Sequence, residues 1–303
     1  YHVSVDKARI FITPGASGAF LLALAAGINP GDEILMADPC YPCNSNFLHL
    51  FDGIATTLPV DAATDYQLTE GLITAHWRAA TKGVLIASPS NPTGTLIGSD
   101  RLGRCIQAVN ERGGNFYSDE IYHGLVYGKD APTALAFSDN VFVINSFSKY
   151  FGMTGWRIGW LVVPDGYVEA TEKLAQNIFI ATPTLSQYAA LAAFDATTQT
   201  ELERRKSEFA DRRDFLYQAL MRIGFVIPVK PDGAFYIYAN CANFTDDSHQ
   251  FALALLEAEG VAVTPGIDFG GHNARSHIRF AYTTSINRMA EAVNRIERFI
   301  KRG

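Results

Sequence analysis

The sequence has few cysteines, and they do not form a metal-site pattern. It holds 4 cysteines in 303 residues, and only Cys40 and Cys43 lie close together, as a Cys-x-x-Cys. A zinc site of this type needs a second pair, and a redox motif of this type needs a thioredoxin-like context. The sequence supplies neither. We therefore interpret both cysteines as small loop residues, and we expect no metal site and a reducing compartment.

The sequence also lacks a long apolar run, a signal peptide and a block of basic residues. No apolar segment reaches the length that spans a bilayer, and the first residues, Tyr-His-Val-Ser-Val-Asp, do not form a signal peptide. The formal net charge of -6 argues against nucleic acid and acidic membrane surfaces as partners. We expect a cytoplasmic protein. With 48% hydrophobic residues it can bury a large core, and we expect two domains of unequal size.

Short strand segments alternate with helical patterns through most of the sequence. Strand segments lie at 10–13, 33–37, 54–59, 83–88, 114–118, 141–144 and 158–163, and helical patterns include 19–28, 70–80 and 100–112. Continuous apolar strands separated by helices indicate an α/β fold, in which a mostly parallel sheet is covered by helices on both faces. Ligands of such sheets bind at the carboxyl ends of the strands.

A lysine stands in a Ser/Gly-rich loop between two of these strand segments. Lys149 follows 141–144 and precedes 158–163, with Ser146, Ser148 and Arg157 close by in sequence. A desolvated, neutral lysine amine can form a Schiff base with an aldehyde. Hydroxyl and guanidinium groups are the donors that a phosphate ester binds. A solvated surface loop is the alternative, and a lone Ser-x-Ser-Lys does not decide between the two.

Three further stretches place polar groups next to strands. Asn91 follows the strand at 83–88 in Ser-Asn-Pro-Thr-Gly, and Asp119 ends the strand at 114–118, three residues before Tyr122. The glycine-rich turn at 14–18 enters a helix, where free backbone N–H groups and the helix dipole favour an anion. Each has an ordinary explanation as a turn former, a cap or a common strand-to-helix turn.

These segments, in this order, resemble the class I and II aminotransferases, which are fold-type-I pyridoxal-phosphate enzymes. Asn91-Pro-Thr-Gly, Asp119-Glu-x-Tyr122 and the Lys149 to Arg157 stretch carry the resemblance, which covers nearly the whole length. It implies a large cofactor-binding domain at 1–200, a smaller α+β domain at 201–303 and a homodimer. The strands at 234–238, 261–264 and 277–281 and the helices at 201–223, 247–259 and 287–300 fit that smaller domain.

The resemblance also implies a role for each candidate residue. Lys149 holds pyridoxal 5'-phosphate as an internal aldimine and transfers the substrate proton, while Asp119 keeps the ring nitrogen charged. Tyr122 and Asn91 contact the ring oxygen, and Tyr41 stacks on the ring. Arg279, with Asn91, binds the substrate carboxylate. The cofactor phosphate is expected to contact a set of small or cationic residues: Ala16, Ser17, Ser146, Ser148 and Arg157.

The implied activity is transamination between an L-amino acid and a 2-oxo acid. Family members specialised for aspartate often carry an arginine, donated by the partner subunit, in the segment that corresponds to 176–181, and this sequence has none there. We therefore expect a neutral or aromatic donor. A C–S β-lyase or a related fold-type-I enzyme, or a ligand-sensing domain of a transcription regulator, is the alternative. Because relatives begin several dozen residues earlier, we expect a truncated form.

Overall fold

A seven-stranded sheet forms the centre of the protein. The computed structural model describes residues 1–302. Along the sheet the strands follow the order β1-β7-β6-β5-β4-β2-β3. Their bounds are Ile10–Thr13 (β1), Glu33–Asp38 (β2), Ile54–Pro59 (β3), Thr81–Ala87 (β4), Asn115–Asp119 (β5), Val141–Ser146 (β6) and Gly159–Val162 (β7). Strands β2 to β6 are parallel, whereas β7 is antiparallel to β6 and β1 is antiparallel to β7. The predicted mostly parallel sheet is confirmed.

Helices cover both faces of this sheet. The alternation along β4 shows the two faces directly, because Val84 and Ile86 belong to one apolar cluster and Leu85 to another. The first cluster contains residues of α3 (Glu70–His76) and α4 (Ser99–Asn110), and the second contains residues of α1 (Gly15–Gly27) and α5 (Val168–Ile178). The sheet and its two helical layers form the expected three-layer arrangement.

Several elements of the large sheet region differ from the sequence prediction. Helix α3 ends at His76, four residues before the predicted end at 80. Helix α1 begins at Gly15, so the predicted turn at 14–18 forms most of the first helical turn. Helix α2 (Cys43–His49) was not predicted, because Cys-Asn-Ser-Asn-Phe-Leu-His lacks a helical apolar period.

The C-terminal part contains a separate antiparallel sheet with its own core. Strand β10 (His277–Ala281) lies between β8 (Tyr236–Asn240) and β9 (Thr264–Pro265). The predicted strand at 261–264 is therefore wrong in its bounds, since only Thr264 and Pro265 pair with β10. Three helices pack here: α7 (Ala196–Ile223), α8 (Ser248–Glu259) and α9 (Ile286–Arg302).

Helix α7 runs without a break through the predicted domain boundary at 200/201. The division into 1–200 and 201–303 stays a prediction. Helix α6 (Thr184–Ala192) precedes α7 and completes the set of nine α-helices within the described residues. In residues 1–302, no helix combines the length and the apolar character that a membrane crossing requires.

Candidate active site

A cavity of about 390 Å³ lies where the carboxyl ends of β4, β5 and β6 meet. All the site residues predicted from the sequence line this cavity: Ala16, Ser17, Tyr41, Asn91, Asp119, Tyr122, Ser146, Ser148, Lys149, Arg157 and Arg279. They come from strand ends, from the start of α1 and from β10 of the small sheet. The parallel sheet explains this convergence, because parallel strands deliver their carboxyl ends to one edge.

Asp119 is a buried carboxyl group at the end of β5. Its side chain is 5% exposed, and Oδ1 accepts a hydrogen bond from the backbone N–H of Ile121 at 3.3 Å. Burial raises the pKa of Asp119 to about 7, and the N–H bond and the nearby Lys149 oppose that rise. The Asp119 carboxylate would therefore stabilise a cationic group bound in the cavity.

Lys149 follows β6 and reaches the cavity as a half-buried side chain. Nζ lies 5.3 Å from the ring centre of Tyr122 and 5.6 Å from that of Phe235. Burial lowers the pKa of Lys149; Asp119 opposes this, and the cations Arg157 and Arg279 add to it. A lowered pKa increases the neutral fraction of the amine, which is the nucleophilic form.

The start of α1 and Arg157 form an anion-binding corner. No side chain caps the N-terminus of α1, so its first N–H groups keep their hydrogen-bonding capacity. Gly15 has φ +74°, and a Cβ there would lie 2.6 Å from Arg157 Nη2. Arg157 itself has a left-handed backbone (φ 52°), and its Nη1 donates to the carbonyl of Thr154 at 3.0 Å. Only glycine at position 15 lets the guanidinium lie this close to the helix start.

Ser146 and Ser148 line the same cavity as this corner and Lys149. The hydroxyl of Ser146 accepts from the backbone N–H of Ser148 at 3.0 Å and donates to the carbonyl of Ile158 at 3.3 Å. Ser146 thus fixes the backbone of the lysine loop as well as lining the cavity. The role of both hydroxyls toward a phosphate stays a prediction.

Arg279 enters the cavity from the small sheet, held on several sides. Nη1 donates to Asn91 Oδ1 at 2.8 Å, and Nη2 donates to Thr264 Oγ1 at 3.1 Å. Its guanidinium carbon lies 4.3 Å from the ring centre of Tyr236 and 4.7 Å from that of Phe269. Such a fixed, planar guanidinium can bind a carboxylate with two parallel hydrogen bonds.

Two tyrosines complete the polar lining. The hydroxyl of Tyr122 lies 3.1 Å from that of Tyr236, and burial keeps the pKa of Tyr122 well above its usual range. Tyr41 is 40% exposed at the mouth of the cavity, where a hydrogen bond with Cys43 is the main cause that raises its pKa to about 12. Both tyrosines are therefore neutral at physiological pH.

Sequence reasoning missed several residues of the cavity. Cys43, Asn44 and Phe47 come from the unpredicted α2, and Phe20 comes from the apolar body of α1. Tyr236 was assigned only to a strand; its alternation with Ile237 could have shown which face it occupies. The segment 176–181, on which the donor expectation rested, does not line the cavity within this chain.

His123 does not line the cavity, whereas Cys43 does, as the first residue of α2 and not as the loop residue that the sequence predicted. His123 Nδ1 lies 3.3 Å from Glu120 Oε2 in a buried pair, and burial lowers its pKa to about 3. Glu120 also accepts from Thr133 and from the backbone of Ala134, so it ties a loop to β5. Within residues 1–302, no group of three or more His, Cys, Asp and Glu side chains could hold a metal ion.

Comparisons with known proteins identify the family. The model of aminotransferase class I and II matches residues 1–296. The chain belongs to the class I and II aminotransferases. It is 39% identical to a valine–pyruvate aminotransferase of Mycobacterium tuberculosis over 97% of this chain and 76% of that protein. It is 37% identical to a (5-formylfuran-3-yl)methyl phosphate transaminase of Methanocaldococcus jannaschii, over 100% of this chain and 78% of that one.

Solved structures agree on the fold. A crystal structure of an aminotransferase from Mycobacterium tuberculosis superposes with a TM-score of 0.96 at 38% identity, covering 100% of this chain and 79% of that one. Aminotransferases of this family use pyridoxal 5'-phosphate, and this chain is a pyridoxal-phosphate-dependent aminotransferase.

The donor set of the cavity fits this cofactor. The helix start and Arg157 offer N–H donors for a phosphate, and Lys149 offers an amine for an aldehyde. The buried carboxyl of Asp119 suits a protonated pyridine nitrogen, and Tyr122 offers a hydroxyl. A cofactor that carries a phosphate, an aldehyde, a pyridine nitrogen and a ring oxygen would find a partner for each of these four groups in one cavity.

Proposed function

We propose that the chain transfers an amino group between an L-amino acid with a neutral or aromatic side chain and a 2-oxo acid, with Lys149 as its catalytic base and acid. The observation that carries this proposal is the position of Lys149, whose amine shares one cavity with Asp119, Arg157 and Arg279. Its pKa is lowered there by burial, which makes the amine available as a base.

The residues divide between holding the cofactor and handling the substrate. When bound, pyridoxal phosphate supplies an electron sink that stabilises a carbanion at the substrate Cα. Lys149 would hold its aldehyde carbon, Asp119 its ring nitrogen, and Tyr122 with Asn91 its ring oxygen. Tyr41 would lie on the ring face. The phosphate would bind to the α1 start and its neighbours: Ala16, Ser17, Ser146, Ser148 and Arg157.

The chain then handles one proton and one carboxylate. Arg279 binds the α-carboxylate of the donor and so fixes the Cα–H bond near Lys149. Lys149, as a free amine, takes the proton from Cα and returns it when the reaction runs in the other direction. Tyr236 and Phe269 restrict the guanidinium to one plane, which limits the poses of the substrate.

The lining of the cavity supports a neutral donor. Its cations are Lys149, Arg157 and Arg279, each with a role already, and its other walls include Phe20, Phe47 and Ile121. A second carboxylate of the donor would lose hydration there without a dedicated partner, whereas an apolar side chain gains about 25 cal/mol per Å² buried. The name of the valine–pyruvate aminotransferase relative agrees with this preference.

A donor panel tests the proposal. kcat/KM is measured for alanine, valine, methionine, phenylalanine and aspartate, each with pyruvate and with 2-oxoglutarate. The value of kcat/KM should be higher for the neutral donors than for aspartate. Ammonia or sulfide release without an acceptor would instead indicate the lyase alternative, and binding without turnover would indicate a sensor.

We also propose that two copies of the chain form a homodimer. Several large apolar side chains in and around α6 are exposed: Ile180, Leu185, Tyr188, Leu191 and Phe194. Ile180 is 87% exposed, and the three exposed side chains of α6 recur every third residue and so share one face. A concentration of exposed apolar side chains in one short segment is typical of an interface.

A further inference from the structure

A loop of the small sheet is fastened to the carboxyl end of β2. Asp38, the last residue of β2, is buried, and its Oδ2 accepts hydrogen bonds from the backbone N–H groups of Gly271 at 3.0 Å and His272 at 3.1 Å. Two residues further on, the backbone N–H of Cys40 donates to the carbonyl of Phe269 at 2.8 Å. Three hydrogen bonds thus join residues 269–272 to residues 38–40.

The contact is built closely enough to exclude a side chain. Gly270 has φ +156°, and a Cβ there would overlap the Asp38 carboxylate. Asp38 Oδ1 is buried without a hydrogen-bond partner in the described residues, so both hydrogen bonds of the carboxylate are those that Oδ2 accepts from this loop. Burying a carboxylate costs free energy unless hydrogen bonds replace those it made with water, and here the loop N–H groups provide that replacement.

The fastened loop carries one wall of the substrate-carboxylate site. Phe269 is buried, and its ring lies 4.7 Å from the guanidinium carbon of Arg279, on which Tyr236 also packs at 4.3 Å. Asp38 does not line the cavity, so any influence on the substrate is indirect. Phe269 of this loop contacts Arg279, and Tyr41, three residues after Asp38, lines the cavity, so cofactor affinity has to be measured beside donor affinity.

We propose that Asp38 is a positioning residue, which holds loop 269–272 so that Phe269 keeps the Arg279 guanidinium in the plane that binds the substrate α-carboxylate. This inference rests on the proposed role of Arg279. It assigns to Asp38 an effect on substrate affinity at a distance from the reacting atoms, with no effect on cofactor binding.

The test separates donor affinity from chemistry. Single-turnover half-reactions of the holoenzyme, followed by the cofactor spectrum, give the donor Kd and the rate at saturation. Asp38→Ala should raise Kd on the order of tenfold for every donor, the scale of hydrogen bonds to a charged group, and should lower the saturated rate less. Asp38→Asn retains a carbonyl acceptor and should recover most of the affinity. Cofactor affinity should stay unchanged in both.

Asp247→Ala is the matched control, because Asp247 also accepts from two backbone N–H groups, at 3.0 and 3.2 Å, but at the start of α8. It should leave the donor Kd unchanged.

A double-mutant cycle tests the route through Phe269. Phe269→Leu should raise the donor Kd as Asp38→Ala does. The Kd of the double variant should not exceed the higher of the two single-variant values, since both substitutions act on the same wall of the site. Additive effects, or an unchanged Kd in Asp38→Ala, would overturn the inference. If Arg279→Ala itself leaves Kd unchanged, the proposed carboxylate site fails as well; if only the Asp38 variants do, the proposed function stands and the positioning role fails.

Discussion

Asn91 and Arg279 are joined by a hydrogen bond of 2.8 Å between Oδ1 and Nη1, although 188 positions separate them in sequence. Asn91 follows β4 of the large sheet, and Arg279 lies in β10 of the small one. Because arginine carries five N–H donors, this bond leaves further donors for a substrate carboxylate. The substrate site therefore depends on how the two parts of the chain pack together.

Removal of the Arg279 guanidinium should weaken all donors alike. Arg279→Ala leaves the α-carboxylate without its partner, and we expect kcat/KM to fall roughly 10²-fold or more, the scale of a truncated buried ion pair. Arg279→Lys should recover only part of this, since an ammonium cannot form two parallel bonds. A loss confined to one donor class would show that Arg279 contacts the donor side chain instead.

Gly15 and Gly31 form a matched pair for the phosphate corner. Both have positive φ, +74° and +85°, but a Cβ meets Arg157 Nη2 at 2.6 Å in the first case and nothing within 4 Å in the second. Gly15→Ala should therefore weaken cofactor binding, measured by titration of the cofactor-free protein, whereas Gly31→Ala should carry only backbone strain. Equal cofactor affinity in the two variants would exclude a phosphate site at this corner.

The buried Asp119 makes the stability of the cofactor-free protein depend on pH. The pKa of Asp119 rises from 3.8 to about 7 on folding. Its contribution to the free energy of unfolding is therefore fully present below about pH 4 and is lost as the pH rises through about 7. Asp119→Asn abolishes that loss, and relative to wild type it should gain up to roughly 4 kcal/mol between pH 4 and pH 8. Urea unfolding at pH 5 and pH 8 measures most of this window. A stability difference that is the same at both pH values would contradict the burial of an ionisable group here.

The exposed face of α6 should determine the oligomeric state. We expect a dimer in sedimentation velocity, and we expect Leu185→Asp with Leu191→Asp to shift it to monomer, because two charges would be buried at the interface. Leu253→Asp, at an exposed leucine of α8, is the control and should leave the dimer intact. A dimer that survives both substitutions on α6 would place the interface elsewhere.

A physical reason lets the sequence predict that the strand-end residues lie near one another. Asn91 and Lys149 follow apolar strands and Asp119 ends one, and a parallel sheet brings such positions to one edge. It could not locate Asn44 or Phe47, because α2 is short and polar and its position depends on tertiary packing. It could not indicate that β7 is antiparallel, since an apolar strand has the same pattern in either direction. The sequence placed Thr264 in a strand but did not indicate its hydrogen bond to Arg279. That contact depends on the pairing of β9 with β10, which covers only two residues and leaves no sequence pattern.

The attachment of the cofactor to Lys149 tests the central proposal most directly. Borohydride treatment of the holoenzyme, followed by peptide mapping, should place the fixed cofactor on Lys149. Lys149→Ala should lose both this fixation and the visible absorption of the bound cofactor, with a fall in rate of roughly 10²–10⁴ or more, the scale of a positioned acid–base group. Lys173→Ala, at an exposed lysine of α5, should behave as the wild type. Fixation at another lysine, or turnover by Lys149→Ala near the wild-type rate, would contradict the account.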